Sequence, residues 1–363
     1  MKTNQLKLTL AAVLLLTSLK AVHAQFTAGD LAVLQVGTGS GSLSSASTAL
    51  FIDEFSPTVQ NDQVQQIVIP ANGTGLALSG TATSEGELAL STDGSILTFG
   101  GYAAASGVSG IASSTATREI GVINGNGQFS IVANSTTNMQ GNNIRGVVSD
   151  GQNYWISAPG GVFYQAQGST TPVKIGTGNA RVVNIFNGNL GYSTSSGSPH
   201  GLFQFSGTPS STATATSLFG SPANASSLSS YDFAINSAGT VAYVADDGTI
   251  DGIQKWELIS GTWTLDYTLG VGTTSGARQL TVDWSGSNPI LYATTGETSA
   301  NRLVEINDNG AASGFTTLDT AAANTVFRGV DFTPQPVPEP SACALMGLGL
   351  AGLWGFQRRN RKS

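Results

Sequence analysis

The sequence predicts an all-β fold, a β-propeller-like ring of six or seven blades, and three observations lead there. Between Phe26 and Pro336 there is no sustained helical periodicity, only short runs rich in Val, Ile, Phe, Tyr and Trp set between Gly, Asn, Asp and Ser turns. A strand–turn–strand phrase recurs along the chain. Aligning one polar residue of each later copy, Asn184, Asp232, Asp283 and Asp331, gives separations of 48, 51 and 48 residues, the length of a four-stranded blade.

The strand candidates run in order as Leu31–Val36, Gln65–Ile69, Glu87–Leu90, Ile96–Phe99, Tyr154–Ser157, Val241–Val244 and Ile290–Ala293. Asp93-Gly94, Asn124-Gly125, Asp150-Gly151 and Asn187-Gly188 are pairs that take the positive φ angles of tight hairpins. The recurring phrase starts at Glu87, Arg145, Arg181, Tyr231 and Leu280, and ends as a lone strand, Arg328–Thr333. Pairing that last strand with the first strands of the chain closes a ring and removes the free sheet edges of an open array. Counting phrases gives six blades, and residues 100–137 are long enough to hold a seventh. A β-sandwich does not explain a spacing near 49, and a β-solenoid repeats at shorter intervals.

Composition supports a folded body. Charged residues make up 10% of the 363 residues and Gly is abundant at 46, but 40% are hydrophobic, with 15 Phe, 8 Tyr and 5 Trp to build a core. Seven of the 15 Lys and Arg lie at the two ends, which leaves residues 26–336 with 8 cations against 21 acids, a net charge of about −13. A body this acidic repels phosphate backbones, so nucleic acid is not an expected partner. The single cysteine, Cys343, lies outside the body, which therefore relies on packing and strand pairing rather than disulfides.

Residues 1–24 read as a signal peptide: Lys2 and Lys7, an apolar run Leu8–Leu16, then Val22-His23-Ala24 before Gln25. The body is expected over 25–333 and a Pro-rich linker over 334–341, where Pro334, Pro336, Pro338 and Pro340 keep the chain extended. A hydrophobic helix is expected over 342–357 and a basic cytoplasmic tail over 358–363. The apolar stretch Ala342–Phe356 spans about 22 Å as a helix, short of the roughly 30 Å hydrocarbon core, so it suits a transient tether to the inner membrane.

Val337-Pro338-Glu339-Pro340-Ser341, a short Gly- and Leu-rich segment and the terminal Arg358, Arg359, Arg361 and Lys362 together resemble the PEP-CTERM sorting signal. The resemblance covers about the last 27 residues. It implies an exosortase-type processing enzyme as partner, transient residence in the inner membrane, and delivery to a cell surface or matrix with extracellular polysaccharide nearby. It is silent on what the body binds.

Within the body, His200 is the only histidine left after signal removal, and no His, Cys and carboxylate cluster has metal-ligand spacing. No Gly-x-Ser-x-Gly elbow surrounds a serine. No cofactor and no catalytic constellation are expected. Asp246, Asp247 and Asp251 flank a glycine turn and form a calcium candidate that falls short of the full twelve-residue loop. Arg145, Arg181, Arg278 and Arg328 are half of the body's cations, and equivalent positions of successive blades point into one annular region. They are expected to gather at one channel mouth with Asp232, Asp283 and Asp331, either pinning blades through ion pairs or offering an anion or acidic-glycan site. The reading is a non-catalytic interaction or structural body. The alternative is a secreted polysaccharide lyase or hydrolase with its site at the channel mouth.

Overall fold

The computed structural model describes residues 25–196, 200–219, 228–248 and 252–335. These fold as six antiparallel sheets arranged in a ring. Blade 1 takes its inner strand from the end of the chain, Val326–Phe332, followed outward by Leu31–Val36, Leu50–Phe55 and Gln63–Ile69. Blade 3 runs Gly146–Ser149, Asn153–Ala158, Gly161–Ala166, Val173–Gly176, and blade 4 runs Ala180–Phe186, Asn189–Thr194, Gly201–Gln204, Thr216–Phe219. Blade 5 is Ser230–Ile235, Val241–Asp246, Gly252–Ile259, Thr262–Leu269, and blade 6 is Ala277–Asp283, Ile290–Thr295, Arg302–Asn307, Thr316–Thr320.

The ring closes as the sequence suggests. Val326–Phe332 pairs with Leu31–Val36, with Leu31 opposite Phe332 and Val33 opposite Val330. Each inner strand also packs against the inner strands of its neighbours. Inner and second strands are buried on both faces because sheets cover both, whereas the outermost strand Gln63–Ile69 alternates exposed and half-buried residues.

Residues 100–137 do not form a seventh blade. They complete blade 2, whose strands are Ile96–Ala105, Arg118–Asn124 and Phe129–Ser135. Its inner strand comes in two pieces, Asn72–Ser79 and Ala89–Leu90, both paired with Ile96–Ala105. The loop 80–88 between them drops toward the centre of the ring, and two glycines of other blades make room for it. A Cβ on Gly329 would lie 2.3 Å from the Leu88 nitrogen, and one on Gly146 would lie 1.3 Å from Glu87 Oε2.

The hairpin at Asn187-Gly188 has φ of 48° and 73°, as a type I′ turn requires. Asn124-Gly125 is not the turn. Asn124 ends its strand, its Oδ1 accepts the N–H groups of Asn126 and Gln128, and the positive φ falls on Gly127. Among the described residues there is no α-helix, and none is long and apolar enough to cross a membrane. Residues 1–24, expected as a signal peptide, lie outside the described residues, as do the sorting motif, the segment 342–357 and the basic residues 358–363.

Candidate functional site at the propeller mouth

The inner strands carry the same irregularity in blade after blade. In blade 4, Ala180 faces Thr194 and Val183 faces Tyr192, so Arg181 and Val182 together oppose Ser193. Blade 5 repeats this with Tyr231 and Asp232, blade 6 with Arg278 and Gln279, and blade 1 with Arg328 and Gly329. In blade 3 the N–H groups of Arg145 and Gly146 both donate to Ser157, to its O at 3.1 Å and its Oγ at 3.0 Å. A β-bulge re-aims the side chain it carries. Five blades thus present Arg145, Arg181, Tyr231, Arg278 and Arg328 at one structural position, at the start of the inner strand and the same end of the ring.

The four arginines share this mouth but not the same surroundings. Arg328 is buried, and its guanidinium donates to the carbonyls of Gly80, Ala82 and Glu85 in the blade 2 loop. Arg145 is buried too, donating to Asn179 Oδ1 at 2.7 Å and the Ala180 carbonyl at 2.6 Å, while its Nε has no partner. Burial pushes both guanidinium groups down to about 10, with Arg181 acting on Arg145 in the same direction. For Arg328 the charge of Glu85 opposes that effect and Arg278 adds to it. Arg181 and Arg278 are only partly buried, and they stack on the Tyr231 ring at 5.4 and 5.8 Å from its centroid. Arg181 Nε donates to Ser195 Oγ, and Arg278 Nε pairs with Asp247 Oδ2 at 2.8 Å.

The aspartates do not join this cluster. Asp331 lies three residues beyond Arg328 on an extended strand, about 10 Å further along it. Its carboxylate accepts the Leu90 N–H of blade 2 at 2.7 Å and the Thr281 hydroxyl of blade 6 at 2.9 Å. Asp232 accepts the N–H groups of Phe233 at 2.8 Å and Leu280 at 3.1 Å. Both therefore tie inner strands together near the ring axis, where Glu87 joins them by accepting the Val183 N–H of blade 4 at 3.3 Å. Burial raises all three carboxyls, and their mutual repulsion pushes Glu87 and Asp232 up further. Asp283 sits at the far end of its strand and accepts the Ser285 N–H. None of the four arginines forms an ion pair with Asp232, Asp283 or Asp331 among the described residues.

The aspartate alignment used in the sequence was out of register. Asn184 and Asp331 are equivalent positions, but blades 5 and 6 place Ala234 and Thr281 there. Aligning the bulge residues instead, Arg181, Tyr231, Arg278 and Arg328, gives spacings of 50, 47 and 50 and finds Tyr231.

The blade 2 loop supplies Glu85, which no sequence pattern singled out. Its carboxylate accepts the Tyr102 hydroxyl at 2.5 Å, Asn143 Nδ2 at 2.9 Å and the Ser79 N–H at 2.9 Å, and burial raises it. A small cavity between this loop and blades 6 and 1 is lined by Thr83, Glu85, Arg278, Gln279, Glu297 and Arg328. Gln279 Oε1 and Glu297 Oε2 have no hydrogen-bond partner, nor does Ser230 Oγ at the start of the blade 5 inner strand.

The calcium candidate is turned inward. Asp246 is buried and its carboxylate accepts Ser229 N–H, Gly248 N–H and Gln254 Nε2, Asp247 holds Arg278, and Asp251 lies outside the described residues. No group of three or more His, Cys, Asp or Glu with metal-holding geometry occurs among the described residues. His200 Nδ1 lies 3.2 Å from the Leu228 carbonyl.

Fold and tail together define a six-bladed β-propeller-like body carrying a C-terminal sorting signal. The PEP-CTERM protein-sorting motif matches residues 336–362. That motif implies export by membrane-linked sorting and processing by an exosortase-type enzyme. Among solved structures, TolB from Acinetobacter baumannii is similar at 9% identity, covering 91% of this chain and 71% of that one with a TM-score of 0.51. The periplasmic gluconolactonase PpgL of Pseudomonas aeruginosa aligns at 16% identity over 84% of this chain and 100% of that one, with a TM-score of 0.49. At these identities the likeness is one of fold. No curated protein matches the chain.

Proposed function

We propose that this chain is an exported cell-surface or matrix protein whose propeller body is a non-catalytic module that captures an acidic glycan at its arginine mouth. The observation that carries the reading is the crowding of four guanidinium groups at one end of a body with net charge of about −13. Arg145 Nε is buried without a partner, and Arg181 and Arg278 keep accessible surface on either side of Tyr231. Carboxylates of a glycan supply the acceptors that such a cluster favours, and guanidinium–carboxylate pairs are short, directional and strong.

The enzymatic alternative rests on Glu85, a buried carboxyl raised from its ordinary value in the cavity that also contains Arg278, Arg328 and Glu297. A screen of acidic and neutral polysaccharides separates the two, read for both capture and product release. Capture of acidic chains without new reducing ends or unsaturated products is the expected outcome. Product release that disappears in Glu85→Gln would replace the module with an enzyme, and the absence of any acidic-glycan capture would end the proposal.

A further inference from the structure

Beside the mouth, between blades 3 and 4, lies a groove of about 610 Å³. That is within the size range of small-ligand sites. One wall is aromatic. Tyr192 and Phe203 stack with centroids 5.2 Å apart and planes at 16°, and Phe205 packs against Tyr192 at 5.6 Å; Tyr192 and Phe205 are buried behind the wall, and Phe203 is the ring that keeps open surface. The other wall is a neutral polar set from the loops that enter and leave the inner part of blade 4, including Asn179, Thr194 and Ser196. Thr194 is 4% exposed, and its Oγ1 has no hydrogen-bond partner. Buried hydroxyls are nearly always paired, and an unpaired one in a groove wall points to a ligand or water that completes it.

The groove is joined to the arginine mouth by direct hydrogen bonds. Asn179 accepts from Arg145 and donates to Ser196 Oγ, and the adjacent Ser195 accepts from Arg181. Glycine makes the aromatic wall feasible, since a Cβ on Gly176 would sit 2.7 Å from Phe205 Cζ.

We infer that this groove is a pyranose subsite, in which one sugar ring lies against the half-buried Phe203 ring and hydrogen-bonds to Thr194 Oγ1 and the Asn179 side chain. A pyranose has an apolar C–H face and a rim of hydroxyls, which is the combination these two walls accept. Among the described residues the lining carries no charge, which selects for the ring and its hydroxyls, whereas the arginines select for an acid group. The inference deepens the mouth reading, which rests on separate residues.

The test is calorimetric titration of the whole exported protein with glucose, galactose and mannose, and with glucuronate. At least one neutral hexose is expected to bind in the millimolar range. Thr194→Val should lower that affinity about tenfold, the effect of losing one hydrogen bond to a buried site. Its melting temperature should stay level or rise, because the substitution removes an unsatisfied hydroxyl. Arg278→Ala should leave neutral hexose binding unchanged and weaken glucuronate only, so failure of the mouth reading shows separately. No binding of any neutral hexose, or unchanged affinity in Thr194→Val, overturns the subsite.

Discussion

The mouth and the axis of the ring handle crowded charge in opposite ways. At the mouth, guanidinium groups collect and are held by backbone carbonyls and by Tyr231. Nearer the axis, Glu87, Asp232 and Asp331 collect and are held by backbone N–H groups of neighbouring blades. Arg328 and Asp331 are three residues apart on one strand, yet they do not neutralise each other, because the bulge and the strand rise send them to different levels of the ring. Burial and mutual repulsion raise the carboxyls, which favours their neutral forms. Arginines stay protonated near neutral pH, so their charge persists at the mouth. The axis is therefore a structural joint and the mouth an electrostatic one.

The largest expected effect that sharpens this contrast is at the axis. Asp331→Ala leaves the Leu90 N–H and Thr281 hydroxyl unpaired across two blade boundaries, and should cost about 3 kcal/mol in chemical denaturation. Arg328→Met, which orphans the carbonyls of Gly80, Ala82 and Glu85, should cost about 2 kcal/mol and loosen the blade 2 loop, read by hydrogen exchange at residues 80–88. A cost below about 0.5 kcal/mol for either would contradict the joint assigned to it.

The pH dependence follows from the raised carboxyls. Burial pushes Asp53 and Asp30 up to about 6, and the axial three are raised as well. The folded state holds these protons more tightly than the unfolded chain, so stability falls as pH rises from about 4 through 6 and continues to fall as the axial groups ionise. The slope contributed by each titrating group is at most about 1.4 kcal/mol per pH unit. Melting at pH 5 should exceed melting at pH 7.5, and Asp232→Asn should flatten the difference. Equal melting temperatures would contradict raised carboxyls in the folded state. The smallest effect belongs to the open mouth. Arg278→Ala loses the Asp247 pair and the Tyr231 contact, and should cost under about 1 kcal/mol of stability.

Much of the ring was legible because blades repeat. Period, closure by Arg328–Thr333 and most strand positions follow from apolar runs and turn pairs. The arginines were legible because each lies at or just before the start of a phrase. The aspartates misled because Asp is common in turns and strand ends, so a chance alignment two residues out of register still looked periodic. Glu85 and Glu87 were invisible as site residues because loop 80–88 interrupts an inner strand, and only the ring brings it beside blades 3, 4 and 1. The groove at Thr194 depends on contacts between residues 176 and 215 across two blades, which no local pattern records.

The most direct measurement of the central claim is calorimetric titration of the protein with a polyuronate hexasaccharide at two salt concentrations, alongside Arg181→Ala/Arg278→Ala. Salt-sensitive binding that weakens at least tenfold in the double variant, with melting shifted only slightly, is the expected result. Binding of equal strength in both proteins, or no binding to the wild type, would contradict an anion-capturing mouth.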